Sequence, residues 1–278
     1  RGLKKAHPGL KITALPLADG GEGTVDVLVS AAKGSYIGRR VTGPLGKRIT
    51  ARYGVLGDKN TAVIEMAKAS GLELVPRAKR NPLKTTSYGT GELIKDALNR
   101  GYRKIIIGIG GSASVDGGIG MAQALGVKFL NSAGRNAGFG GGELAKIRKI
   151  DASRLDKRIS QAEIVIACDV KNVLLGKTGA AAVYGPQKGA TPAMVVELEK
   201  GLSNLAQVIK HDLNIDVAKI KGGGAAGGMG AGLAAFCGAK IRSGIGMVSE
   251  TLNLEKHISR ANMAITGEGR IDGQSVFG

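Results

Sequence analysis

The sequence predicts an α/β protein, and three observations carry that prediction. Short, wholly apolar runs at 104–108 and 162–168 have the character of parallel strands covered on both faces. Segments with helical apolar spacing alternate with them. Glycine-rich turns that also hold acidic residues follow the strands. The expected architecture has two domains: a Rossmann-like or flavodoxin-like parallel sheet domain with an inserted second α+β domain. Residues 1–40, 81–126 and 255–278 are assigned to the first, and 41–80 and 127–254 to the second.

Residues 11–17 read as a strand that ends near Pro16. A helix follows over 23–33, with Val25, Leu28, Val29 and Ala32 at helical spacing and Gly34 as its stop. Residues 35–55 and 61–66 carry β-branched and turn residues with no helix between them, and Asp58-Lys59-Asn60 is placed at a hairpin tip. Thr90 is expected to cap a helix whose Leu93, Ile94, Ala97 and Leu98 share one face and which Gly101 ends. After the strand at 104–108 comes a helix over 119–125, closed by Gly126. The strand at 162–168 follows, and 261–266 is expected to be another. Thr191-Pro192 opens a long helix with Val195, Leu198, Leu202, Leu205 and Ile209 on one stripe; proline suits a first helical position. Residues 222–228 read as a tight loop into a helix at 229–237.

Composition narrows the function classes. The chain has 278 residues, 43% of them apolar, which argues against wholesale disorder. No apolar run approaches the about 18 residues a membrane span needs. Two isolated cysteines, Cys168 and Cys237, exclude a disulfide scaffold and a cysteine-rich zinc site. They fit a reducing compartment, and with no secretory leader in the sequence a cytoplasmic location is expected. The sequence opens on Arg1 and closes on a turn-like Gln274–Gly278 run, so it reads as an internal piece of a longer chain. The formal charge is +18, but no basic run exceeds two residues and aromatics make up only 3%. Those features disfavour nucleic acid as a partner and leave a positive field that attracts small anions. Oligomerisation into identical copies stays open.

Four glycine-rich loops hold the candidate chemistry, and ligands of open parallel sheets bind where the carboxyl ends of strands open into loops. In the first, Asp19-Gly20-Gly21-Glu22-Gly23, glycine N–H groups at a helix start suit an anion, while Asp19 and Glu22 also have capping-box spacing. The second is Gly108–Gly118. It contains GxGxxA between strand and helix, a pattern shared with dinucleotide sites. No acidic partner follows about 20 residues on, so the loop reads as a phosphate cradle built on Gly110, Gly111 and Ser112. Asp116 within it would hold Mg²⁺ or accept a substrate proton, unless it serves only to shape the turn. The third is Asp169, at the end of a buried strand, a metal-ligand or turn position. The fourth, Gly267–Gln274, holds Glu268, Arg270 and Asp272; Arg270 can grip a carboxylate or phosphate bidentately, or the loop can be internally salt-bridged. Lys188, on the turn ahead of the 191 helix, is a phosphate candidate or a solvated surface lysine. Gly176-Lys177-Thr178 mimics the end of a Walker A loop, but Lys171 stands where its first glycine belongs. His7, His211 and His257 have no ligand-like spacing, and no GxSxG elbow is present.

Taken together, PLADGGEGT (16–24), VTGPLG (41–46), YGTGELI (88–94), GIGGSASVDGG (108–118), ACDV (167–170), GPQKGAT (185–191), GAAGGMGAG (224–232) and TGEGRIDGQ (266–274) resemble the bacterial type-1 glycerate kinase family in order and spacing, over essentially the whole chain. The resemblance implies an ATP- and Mg²⁺-dependent glycerate 2-kinase, moving the γ-phosphoryl group to D-glycerate to give 2-phosphoglycerate. It implies a cleft site with Asp116 or Asp19 orienting the hydroxyl and taking its proton, and Arg270 holding the carboxylate. Asp169, Glu268 or Asp272 would hold Mg²⁺. Gly20, Gly21, Gly110, Gly111, Ser112 and Lys188 would bind the nucleotide. The chain departs from the family pattern at Val115, where Asn is usual, and at Lys171, Val173 and Leu175, where Asp, Pro and Cys are usual. The readings that remain beside it are a dinucleotide-dependent oxidoreductase and a non-catalytic module binding a sugar acid or nucleic acid.

Overall fold

Period-two alternation inside each buried strand explains the whole layer order. Ile105 and Ile107 join one core while Ile106 joins another on the opposite face. Ala62 and Ile64 against Val63, and Ile164 and Ile166 against Val165, divide in the same way. A strand of this kind needs helices on both sides, so it reads as continuously apolar.

The structure is a computed structural model that describes residues 2–18, 21 and 23–267. In chain order its elements are α1 (Gly2–Ala6), α2 (Thr24–Ala31), β1 (Ser35–Thr42), β2 (Arg48–Val55), β3 (Thr61–Glu65), α3 (Ala67–Ser70), α4 (Tyr88–Asn99), β4 (Lys104–Gly108), α5 (Ile119–Ala124), β5 (Lys128–Asn131), β6 (Ile147–Asp151), β7 (Glu163–Ala167), α6 (Ala180–Tyr184), α7 (Pro192–Leu213), α8 (Ala225–Cys237), β8 (Lys240–Arg242), α9 (Gly244–Leu252) and α10 (Leu254–Ile258). No helix among the described residues is long and apolar enough to cross a membrane.

Six strands form one mixed sheet in the order β1-β2-β3-β4-β7-β8, and β5-β6 form a small separate ribbon. The β1-β2-β3 flank is antiparallel, whereas β3, β4, β7 and β8 run parallel. The sheet thus draws strands from residues 35–65, 104–108, 163–167 and 240–242. Helices α2 and α9 cover one face through Val25, Leu28, Met247 and Val248. Helices α4, α5, α7 and α8 contribute to the larger core on the other. Each fully buried Ile or Leu here contributes roughly 1.5–3 kcal/mol relative to exposure. Gly54 lets α2 approach, since a Cβ there would lie 2.2 Å from Val29 Cγ2.

The long helix begins as expected: Thr191 accepts a hydrogen bond from the Met194 N–H and Pro192 is its first residue. Asn214 ends it in the left-handed region. The tight loop ahead of residue 229 is present too, with Ala226, Gly227 and Gly228 all at positive φ.

Three expectations need correction. Residues 11–17 and 261–266 are not strands. Both segments are largely exposed, with Ile12 at 41% and Met263 at 77%, and neither is in a ladder among the described residues. An apolar run becomes a strand only where a neighbour satisfies its backbone. Thr90 does not cap α4. Ser87 occupies the N-cap position, and Thr90 lies inside the helix with its hydroxyl 2.9 Å from Ser70 Oγ. The expectation of a parallel sheet holds for three of the five strand pairings, because two tight antiparallel connections precede β3.

Candidate active site

The register Glu65–Gly108–Ala167 puts the carboxyl ends of β3, β4 and β7 side by side. Loops 66–87, 109–118 and 168–179 all leave this edge. The α2 start joins them, because the Val25 N–H donates to Glu65 Oε1 at 2.9 Å. The parallel-sheet rule therefore selects this edge for a ligand.

The 109–118 loop is exposed at its tip and clamped beneath. Gly111 is exposed with φ +73°, and Gly110 is half-buried. Two backbone bonds fasten the tip to the end of α3: Leu72 N–H to Gly111 O (2.8 Å) and Ala113 N–H to Ser70 O (2.9 Å). Deeper, Ser112, Ser114 and Asp116 are buried. Asp116 is fully enclosed and accepts from Ser87 N–H (2.8 Å), Ser87 Oγ (2.7 Å), Ser114 Oγ (3.1 Å) and Gly118 N–H (3.2 Å). Lys188 is also enclosed, donating to Ser112 Oγ and, at 2.7 Å, to Ser114 O. Burial pushes the Lys188 ammonium down to about 7, and the nearby Asp116 charge opposes that fall. On the remaining side the Gly117 N–H donates to Gly227 O at 3.0 Å. A Cβ on Gly227 would lie 2.1 Å from Ser114 O, and φ there is +71°, so only glycine fits.

This arrangement brings Gly110, Gly111, Ser112, Asp116 and Lys188 together. It gives them unequal access. Gly110 and Gly111 face out, while Ser112 is 5% exposed with its hydroxyl engaged by Lys188. Asp116 has two donors on each oxygen and no open side. Asp169 is half-buried at the end of β7, accepting from Ser243 Oγ (2.6 Å) and the Ile245 N–H (3.1 Å) at the start of α9. Gly21 is half-buried ahead of α2. Asp19, Gly20, Glu268, Arg270 and Asp272 lie outside the described residues.

Two residues of the site escaped the sequence reading. Ser87 bonds Asp116 through both its N–H and its hydroxyl, and its Oγ accepts from the Met121 N–H at 3.0 Å. Glu65 is 2% exposed; its Oε2 has no hydrogen bond, with Lys68 Nζ 3.6 Å away. A single acidic residue closing the apolar Thr61–Glu65 run was the signal for it.

These donors suit a hard cation. Among the described residues no group of three or more His, Cys, Asp and Glu side chains converges. Mg²⁺ in phosphotransfer sites takes one or two carboxylates and fills its shell with phosphate and water. Asp169 keeps unused lone pairs on both oxygens, and Glu65 Oε2, ion-paired with Lys68 at 3.6 Å, is of the same hard class.

Comparison with known proteins decides the family. The Glycerate kinase family pattern matches residues 1–278. This chain belongs to that family. A glycerate 2-kinase of Escherichia coli K12 is 54% identical over all 278 residues, which span 73% of that relative. A glycerate kinase of Halalkalibacterium halodurans is 51% identical with the same coverage. A crystal structure of a Salmonella typhimurium LT2 protein assigned as glycerate kinase 2 superposes with a TM-score of 0.91 at 55% identity, over the whole of this chain and 74% of the other. Glycerate kinase membership displaces the dinucleotide-oxidoreductase and nucleic-acid readings of the 108–113 loop and the positive charge.

Proposed function

We propose that this chain is an ATP-dependent glycerate 2-kinase, transferring the γ-phosphoryl group of ATP to the 2-hydroxyl of D-glycerate. The observation that carries the reading is the 54% identity to a glycerate 2-kinase over all 278 residues of this chain, joined to a glycine loop at the carboxyl edge of a parallel sheet. Phosphoryl transfer asks the protein mainly to align the donor and acceptor oxygens and to neutralise charge.

Gly110 and Gly111 present backbone N–H groups to phosphate oxygens, with Ser112 behind them, and Gly20 and Gly21 are the further nucleotide-binding glycines. Lys188 adds positive charge from beneath the loop and holds Ser112 in place. Asp116 keeps the loop in shape rather than receiving the substrate proton, because four donors already saturate it in a closed pocket. Orientation of the hydroxyl and acceptance of its proton fall to Asp19. Arg270 offers a bidentate grip to the substrate's oxyanion. Asp169, Glu268 and Asp272 would hold Mg²⁺, with Glu65 near the sheet edge, and the ion would supply positive charge against the negative charge that develops in transfer.

A coupled assay of ADP release with ATP, Mg²⁺ and D-glycerate tests the reading, with ³¹P NMR to identify the product. The expected product is 2-phosphoglycerate. No ADP release above the glycerate-free control, or phosphorylation at the 3-hydroxyl, would overturn it.

A further inference from the structure

A second charged feature lies on the same sheet edge. β1 is antiparallel to β2 and β2 to β3, so β1 points the same way as β3. Its hairpin turn at 43–47 therefore stands on the carboxyl edge, beside the 66–87 loop. Between the two is a concavity of about 450 Å³ whose wall includes Lys47, Lys79, Arg80, Asn81 and Lys84. Among the described residues no carboxylate lines it. None of its four cations is in an ion pair among the described residues. Arg80 is half-buried, and its Nε is shielded from solvent without a hydrogen-bond partner among the described residues. Four like charges gathered with no counter-charge repel one another, and a bound anion relieves that repulsion.

The walls are rigid, unlike a chance cluster of surface lysines. Asn81 shapes one turn, its Oδ1 accepting from the Leu83 N–H (3.0 Å) and its carbonyl from the Lys84 N–H (3.0 Å). The Thr86 N–H donates to Pro44 O at 3.0 Å and joins the two walls. The concavity is also joined to the 109–118 loop. Thr85 Oγ1 donates to Ala113 O at 2.8 Å, and Gly189, next to Lys188, packs so closely that a Cβ would lie 2.5 Å from Arg80 O.

We propose that this concavity is an oxyanion site that takes the carboxylate of the hydroxy-acid substrate, with Arg80 as its principal donor and Lys47 and Lys84 as its field. The proposal rests on the kinase reading above. It adds a cationic contact for the acceptor that no sequence motif marked: Arg80 presents a planar fork matched to carboxylate, and the lysines are point charges that raise local anion concentration. A free inorganic anion has the same chemistry, so the test separates the two sources.

The test uses Arg80→Gln and the double variant Lys47→Gln/Lys84→Gln. The lysines are exposed, so the double variant leaves the core untouched. The KM for D-glycerate should rise by about tenfold or more in each, equivalent to about 1.4 kcal/mol, with the KM for ATP and the Tm unchanged. Inorganic phosphate should inhibit the wild type competitively against D-glycerate and lose that effect in the variants. A D-glycerate KM unchanged within twofold in both variants overturns the proposal. So does a result in which phosphate binding weakens while the D-glycerate KM stays fixed, since the site would then serve an independent anion. Calorimetric titration with D-glycerate alone keeps the two readings apart. A wild type that binds D-glycerate without releasing ADP refutes the kinase reading and not the site. Equal D-glycerate affinity in wild type and double variant refutes the site itself.

Discussion

Asp116 and Asp169 follow neighbouring parallel strands, yet the two carboxylates have different surroundings. Asp116 is sealed, with four donors and a buried ammonium close by. Asp169 is half-buried, with two donors and room for more. Strand-end position alone therefore does not decide a role. The count of donors and the access to solvent do: a saturated carboxylate holds a loop, and an unsaturated one can coordinate.

The largest expected effect breaks the sealed side. Asp116→Ala leaves the Lys188 charge buried and strands the donors from Ser87, Ser114 and Gly118. The expected loss of stability is about 3–5 kcal/mol, measured by denaturant unfolding. A loss below about 1 kcal/mol would mean the cluster rearranges freely. Asp116→Asn is the finer probe. It should cut kcat by about 10²-fold or more, a size also expected of a lost general base. A positioning role keeps the acid limb of the pH–rate profile in place, whereas removal of a base abolishes that limb.

Lys188→Met comes next. With burial holding Lys188 near 7 in the fold against its ordinary 10.5, the unfolded chain carries the extra proton between those values. Stability should therefore rise with pH across that window, and the charge penalty should be complete below about 7. The methionine variant should lose this slope, since the titrating ammonium is gone. Parallel stability–pH curves for wild type and variant would show that Lys188 does not titrate there.

The smallest effect is on the open side. Asp169→Asn keeps an acceptor for Ser243 Oγ, so unfolding should shift by about 1 kcal/mol or less. The Mg²⁺ concentration giving half-maximal rate should rise instead. A Mg²⁺ dependence identical to wild type would take Asp169 out of the metal site and make it only a tie between β7 and α9.

The contrast also marks what could be read in advance. Ile105, Ile106 and Ile107 announced a strand covered on both faces because alternation and total burial produce the same apolar run. Thr191-Pro192 announced its helix because cap chemistry is local. Residues 11–17 and 261–266 share that apolar character and still form no strand, since pairing depends on a neighbour distant in sequence. The candidate site followed the same division. The place of Gly110 and Gly111 in a turn between a strand and a helix was legible from the local pattern. The burial of Lys188 was not, because it arises where a turn at 185–189 meets a loop more than seventy residues earlier. Ser87 and Arg80 were hidden for a similar reason: each gains its meaning from a contact across elements.

The two cysteines carry a practical consequence of the layer order. Cys237, at the end of α8, is buried and its thiol is pushed up to about 12, so at neutral pH it holds almost no thiolate. Cys168 is half-buried beside Asp169. A thiol-reactive fluorophore should thus label the native protein next to the proposed metal ligand. Its reaction with the second thiol becomes a clock for global opening of the core.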